Sequence, residues 1–299
     1  MENYLLIDFI QTTIDGALKG MLFALIALAF IVIYRAGRIL NFAQGDFVIL
    51  GGYFVVTFYS IFSLPLWLGL PAAFFCIAVM GIILERFVFR PLIGQELFSI
   101  VMVTIGLMIL LQGLMIVVWS GAERPFPLIF KMQPVRFGEF LFSRSIFIGA
   151  IISVGLMAVL FFLFEKTRWG LKLSAVAEEH QVAQSLGISV KRSIAIGWII
   201  SCILSTFAAI TFLNGQSINF SASTIGLQAL PVALLGGLES IWGAPVAGLI
   251  VGIGQSWAAA YLDPYTDGAM SSAFPYIIML IILLIRPQGL FGWKIIERV

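Results

Sequence analysis

The sequence predicts an all-α, polytopic membrane protein, and three observations predict it. Of its 299 residues, 61% are hydrophobic and only 11% are charged, against roughly 25% charged in soluble domains. Apolar runs recur along the whole chain, many near the ~20 residues needed to cross a bilayer core of about 30 Å. Basic residues gather in short clusters between those runs, as they do beside the cytoplasmic ends of membrane helices. So few charges cannot cover a water-soluble domain of this size, whereas lipid accepts an apolar exterior. A single membrane domain over residues 1–299 follows.

The runs read in order as spans at 10–33, 46–62, 65–84, 97–119, 145–164, 193–213, 225–240, 244–261 and 273–285, about eight or nine helices. The stretch 225–240 is short and either spans or re-enters. The first run has no basic segment before it and no small-residue cleavage pattern after it, so it reads as a retained helix. Pro65, Pro231 and Pro245 fall near span starts or in broken regions, where proline is tolerated. Arg35 and Arg38 follow the first span, Arg86 and Arg90 the third, and Lys166, Arg168, Lys172, Lys191 and Arg192 lie between the fifth and sixth. Arg286, Lys294 and Arg298 follow the last. With the N-terminus outside and nine crossings, every one of these clusters is cytoplasmic. The 120–144 loop then lies outside despite Arg124, Lys131, Arg136 and Arg144. The small net charge of +2 and the lack of a basic run point away from nucleic acid.

Two segments are unsuited to lipid-facing helix. Asn41-Phe42-Ala43-Gln44-Gly45-Asp46 follows the first span, and Leu234-Leu235-Gly236-Gly237-Leu238-Glu239-Ser240-Ile241-Trp242-Gly243 lies late in the chain. Broken backbone at membrane depth needs protein or a water-filled cavity to satisfy it, and Gly-interrupted short segments point to a transport pathway. Asn41, Gln44, Gly45, Asp46, Gly236, Gly237 and Glu239 are therefore the candidate pathway or helix-break residues.

The loop from 165 to 192 carries Leu173, Val176, Ala177, Ala183 and Leu186 at helical spacing, with polar residues between them. That is a short amphipathic helix, ended by Gly187. Such a stripe needs a cover, either the protein's own helix ends or a groove on a soluble partner. The acidic Glu178 argues against a membrane-surface helix. Ala175, Ala177 and Ala183 allow close approach.

Four segments in this order resemble the LivH-type permease subunits of branched-chain amino acid ABC importers. They are Gly20 to Leu28 leading to Asn41-Phe42-Ala43-Gln44-Gly45; Ala177-Glu178 with Ala183 and Leu186-Gly187-Ile188; Leu234 to Ala244; and Arg286-Pro287-Gln288-Gly289-Leu290-Phe291-Gly292. The chain departs from that family at Gln44, where His is common, at Glu239, where Gly is common, and at Gln255, where an acidic residue is common. The resemblance implies a permease in a bacterial or archaeal inner membrane that works by alternating access on branched-chain or related amino acids. Other relatives carry urea, amides or further small organic solutes. It also implies partners: ABC ATPase subunits, a second homologous permease and a periplasmic or extracellular solute-binding protein. The stretch with Ala175, Ala177, Glu178, Ala183 and Gly187 resembles the element that couples such permeases to their ATPases. The chain itself has no G-x-x-x-x-G-K-S/T phosphate loop. ATP and Mg are thus expected on the partner ATPases, with no cofactor or catalytic site on this chain.

Two other classes remain for comparison. An ion-coupled secondary transporter needs ionisable residues at mid-membrane, and spans 97–119, 145–164 and 193–213 contain no Asp, Glu, Lys, Arg or His. A membrane enzyme needs a nucleophile–base set or a metal cluster, and none is visible. Asp15 and Lys19, four apart, read as a structural pair. Asn214, Gln216, Asn219 and Gln228 flank the outer ends of two spans, where they either greet a polar solute or bond loop backbone.

Overall fold

The computed structural model describes residues 2–292 apart from 93, 132 and 179; Lys294 and Arg298 lie outside them. The chain is helical almost throughout. Helix α1 covers Glu2–Gly37 and α2 covers Gln44–Val56, continued by a π turn to Ile61. Helix α3 covers Leu66–Leu84, running on through a π turn and a 3-10 turn to Leu92. Helices α4, Leu97–Trp119, and α5, Arg144–Lys166, follow. Two short helices, α6 at Arg168–Glu178 and α7 at His180–Ser185, lead into α8 at Val190–Phe212. Then come α9, Thr224–Gly236, and α10, Gly243–Trp257, which ends in a π turn and the short α11, Asp263–Thr266. Helix α12 is Ala269–Ile285.

Among the described residues, six helices are long and apolar enough to cross a membrane. The helices at 224–236 and 269–285 are apolar but shorter. Helix α9 stops at Gly236, earlier than the expected 240, because Gly237 takes a φ of +96° and breaks the ladder.

Helix α1 sits at the centre. Every residue from Leu22 to Ile33 is buried, whichever way its side chain points, as befits a helix that is apolar all round. Its most apolar stretch is 78% buried and that of α8 is 67%, whereas those of α3, α4 and α5 are only 22–28% buried. The latter three carry much of the exposed apolar surface. The α1–α10 crossing rests on small residues, since lipid offers no hydrophobic drive to join helices. A Cβ on Gly16 would lie 2.8 Å from the Gly252 carbonyl oxygen, and one on Gly20 would collide with the Gly248 carbonyl. The two backbones touch along that seam, and α10 runs antiparallel to α1.

The outer loop at 120–144 is tied down by short strands. β1, Arg124–Pro125, pairs with β4, Ser217–Ile218, and β2, Val135–Phe137, pairs with β3, Phe140–Phe142, all antiparallel. Arg124 does not break the charge pattern by accident. Its guanidinium donates twice to the Trp119 carbonyl, at 3.1 and 2.9 Å, a cation placed on the C-terminus of α4.

Candidate functional site

The break after α1 opens the site. From Gly37 the chain leaves helical geometry through residues 38–43 and rises alongside α8. Asn41 accepts from the Ala43 amide at 3.1 Å and donates to Gln44 at 3.3 Å. Gln44 in turn donates to Ser205 at 2.6 Å and accepts from Ser201 at 3.3 Å. Both serines lie near the middle of α8, so α2 begins at about half the depth of the bundle. Asp46, in the first turn of α2, accepts from Gln112 of α4 at 3.0 Å; a carboxylate there suits the positive end of the helix.

Helix α9 begins at the same level. A Cβ on Gly45 would strike the Ser223 carbonyl, and one on Gly226 would strike the backbone of Gly45. The N-termini of two half-length helices thus meet across a pair of glycines. Helix α2 runs from there to the outer side, where Thr57 accepts from Trp119 at 2.7 Å. Helix α9 runs to the inner side. Asn41, Gln44 and Asp46 are at most 1% exposed. They lie at the break and away from lipid, as the sequence suggested, but their polar atoms are spent on internal hydrogen bonds that hold the break together.

At the inner end, α9 is capped by the C-terminal turn. Leu290 donates to the Leu235 carbonyl at 2.8 Å and Phe291 to the Gly236 carbonyl at 3.2 Å. The Arg286–Gly292 motif therefore closes the Leu234–Gly243 motif. Gly237 is hemmed in, because a Cβ there would lie 2.6 Å from the Gly292 nitrogen, and its positive φ is one that side chains other than glycine resist. We expect Gly237→Leu to cut uptake at least tenfold while the protein still reaches the membrane; uptake equal to the parent in vesicles of matched content would remove this turn from the transport cycle.

The same inner face holds a clamp. Arg35, 7% exposed, donates to Glu165 at 3.3 Å and to Ser174 at 2.9 Å, with its guanidinium 4.9 Å from the Phe164 ring centroid. Arg38 donates to the Ala177 carbonyl at 3.2 Å and to the Tyr34 hydroxyl at 3.4 Å, and it pairs with Glu239. Two arginines from the end of α1 thus hold α6, and one of them reaches the loop that follows α9. In the sequence both serve only as topological markers. Their pairing with Glu165 and Glu239 depends on distant segments, so no local signal shows it.

Over the expected 173–186, the described residues are helical on both sides of 179, in Arg168–Glu178 and His180–Ser185. Gly187, at φ +76°, ends the second as expected, and the Ile188 amide returns to the Ala183 carbonyl at 3.0 Å in a Schellman-type closure. The apolar stripe has the opposite partner to the one the coupling reading gave it. Leu173, Val176 and Ala183 are at most 1% exposed, and α6 packs on α1, α5 and α8. Ala183 therefore faces the chain's own helices; Ala175 and Ala177 are half-buried. The Glu178 side chain lies outside the described residues. Leu171, Val182 and Leu186, at 72%, 52% and 71% exposure, remain open.

Of the outer amides, Asn214 serves loop backbone. It accepts from the Ile129 and Phe130 amides at 2.7 and 2.8 Å and donates to the Phe130 carbonyl and Ser145. Asn219 donates to Glu123 at 3.0 Å and caps Ala222. Gln216 instead lines an outer cavity of about 350 Å³, together with Lys19, Gln255 and Ser256.

The family described as branched-chain amino acid transport system, permease component, matches residues 12–283. The permease protein BraD of Pseudomonas aeruginosa, named for high-affinity branched-chain amino acid transport, is 26% identical, covering 97% of this chain and 98% of its own. LivH of Escherichia coli, named for the same transport, is 29% identical with the same coverage. The LivH relative from Methanocaldococcus jannaschii is 29% identical over 95% of this chain and 94% of its own.

Proposed function

Because the chain belongs to the branched-chain amino acid transport permease family, we propose that it carries branched-chain or closely related amino acids across a bacterial or archaeal inner membrane by alternating access. It is a multi-pass permease component and a transport subunit. ATP and Mg are used by separate ABC ATPase subunits in this reading, and the chain supplies no cofactor site. A second homologous permease completes the pathway, and a solute-binding protein delivers the solute.

The observation that carries the reading is the inner-face clamp. A push on α6 reaches the α9 break through one side chain, since Arg38 holds the Ala177 carbonyl on one side and Glu239 on the other. Helix α9 ends in the Gly236–Gly237 turn and begins at the Gly45–Gly226 meeting of half-helices. Moving its inner end therefore tilts the break at mid-depth, which is where a gate must act. Arg35 ties the same half of α6, at Ser174, to Glu165 near the end of α5, so α6 is a lever held at its C-terminal half.

The ATPase meets the outward face of this lever, at Leu171, Val182 and Leu186. Apolar side chains that are exposed in the isolated chain and become buried at an interface are where association energy concentrates. The paired change Leu171→Glu and Leu186→Glu should weaken ATPase binding by about 2 kcal/mol or more, roughly thirty-fold, without disturbing insertion. Co-purification with the ATPases at parental yield would move the docking face elsewhere. For the function itself, the full complex in proteoliposomes should take up leucine when ATP is enclosed, with ion gradients collapsed. Uptake that needs a proton or sodium gradient and ignores ATP would sink the importer reading.

A further inference from the structure

The outer cavity has a composition that the clamp and the helix break do not explain. It lies among α1, α5, α8, α10 and α12. Its polar lining includes Lys19, Gln216, Gln255 and Ser256 beside Thr211 and Ser271, and its apolar lining includes Leu22 and Phe212. Among the described residues, none of those four polar side chains has a hydrogen-bond or ion-pair partner. Asp15, one turn away, influences Lys19 only through space. The two other polar lining residues are already engaged: the Thr211 hydroxyl donates to backbone carbonyls and the Ser271 hydroxyl to the Gly268 carbonyl.

Depth makes this unusual. Trp257 stacks on Phe9 with ring centroids 5.4 Å apart and donates to Thr13 at 3.0 Å, and such aromatic groups gather at the membrane interface. Lys19 lies six residues further along α1, about 9 Å deeper at a rise of ~1.5 Å per residue. Arg35, on the inner face, is roughly 24 Å further still by the same rise. Lys19 therefore sits below the outer interface, where a cation is costly and as a rule lines a substrate route, and Asp15 one turn back offsets it only through space. The cavity's size is that of a small-molecule site, for which about 300–1,000 Å³ is usual.

We propose that this cavity is a solute subsite on the outer half of the pathway, in which Lys19 holds the carboxylate of an aliphatic amino acid. Gln216, Gln255 and Ser256 hydrogen-bond the polar end of the solute, and Leu22 and Phe212 cover its aliphatic side chain. The site deepens the amino-acid reading given above and rests on it. It favours a carboxylate, because Lys19 is the one cation among the described lining residues and a neutral amide would bring it no opposite charge.

The test uses the assembled complex in a Cys76→Ser background, with Ala259→Cys, a lining residue given no contact to the solute, as a reporter and Ile146→Cys as a second one should the first fail to assemble. Millimolar leucine should slow maleimide labelling from outside by at least threefold. Leucinamide, which lacks the carboxylate, should not, and Lys19→Met should abolish the protection while Lys19→Arg retains it. Equal labelling with and without leucine at both reporters, in a complex that still imports leucine, overturns the site and leaves the function standing. Protection by leucine and leucinamide alike overturns the role of Lys19. A parent complex that imports no aliphatic amino acid overturns the amino-acid reading, and this site with it.

Discussion

Arg38→Met should leave the complex assembled and break its coupling: leucine uptake falls at least tenfold while ATP hydrolysis continues. The expectation follows from what the guanidinium joins. It touches both the α6 backbone, at Ala177, and the loop behind α9, at Glu239. Methionine has a similar volume and, like arginine, an unbranched Cβ for the φ of +56° at position 38, but it offers no donor. The stability cost is modest, because the Arg38 side chain is 39% exposed and Glu239 19% exposed. Exposed pairs contribute about 0–1 kcal/mol and fully buried ones about 3–5 kcal/mol when broken; this pair falls between. The transport effect is larger because a lever without its joint transmits nothing. Arg38→Lys, a single point charge in place of a fork, should keep Glu239 and lose Ala177, and so give intermediate coupling. Reversing both charges should not restore it, since glutamate at position 38 cannot donate to a carbonyl. The reading fails if Arg38→Met moves as much solute per ATP as the parent.

Gly20→Leu should be the most destabilising single change in the membrane core. The new Cβ meets the Gly248 carbonyl, which belongs to a backbone and cannot rotate away. Overpacking a tight site costs about 1–3 kcal/mol where side chains can yield and more where they cannot. Here α10 itself must move, and with it the Gly16–Gly252 contact one turn along. Gly106→Leu is the matched control, because nothing lies within 4 Å of a Cβ at that position. Thermal unfolding in detergent should show a large fall in Tm for Gly20→Leu and little change for Gly106→Leu. Equal stability of the two variants would mean that the α1–α10 seam is not packed as described.

Much of the fold was legible. The apolar runs located the long helices because a lipid solvent leaves little choice of structure. Asn41 to Asp46 and Gly236 to Gly243 stood out as breaks because their residue types are costly in lipid. The amphipathic period of α6 and α7 was legible too, but its direction was not. A stripe at Leu173, Val176 and Ala183 says that something covers it, not what does. Here the cover is the chain's own helix ends. The departures from the family pattern at Gln44, Glu239 and Gln255 turned out to lie at the mid-depth hydrogen bonds, the Arg38 pair and the outer cavity. Sequence alone could mark those positions but not connect them, because Gln44 and Glu239 act through partners far along the chain and Gln255 through a cavity that several helices build.

The central place of α1 bears on how the protein is made. Helix α1 precedes in chain order every helix that later surrounds it, so it leaves the insertion machinery into lipid and waits there. Helix α10, which its glycine seam fits, emerges only after most of the others. A core helix of a soluble protein can be stored with one polar face toward water, but this one has only hydrocarbon for company in the interim. Its apolar surface on every side is thus a requirement of the waiting period as well as of the finished bundle. The small residues at Gly16 and Gly20 ask for no polar partner while they wait.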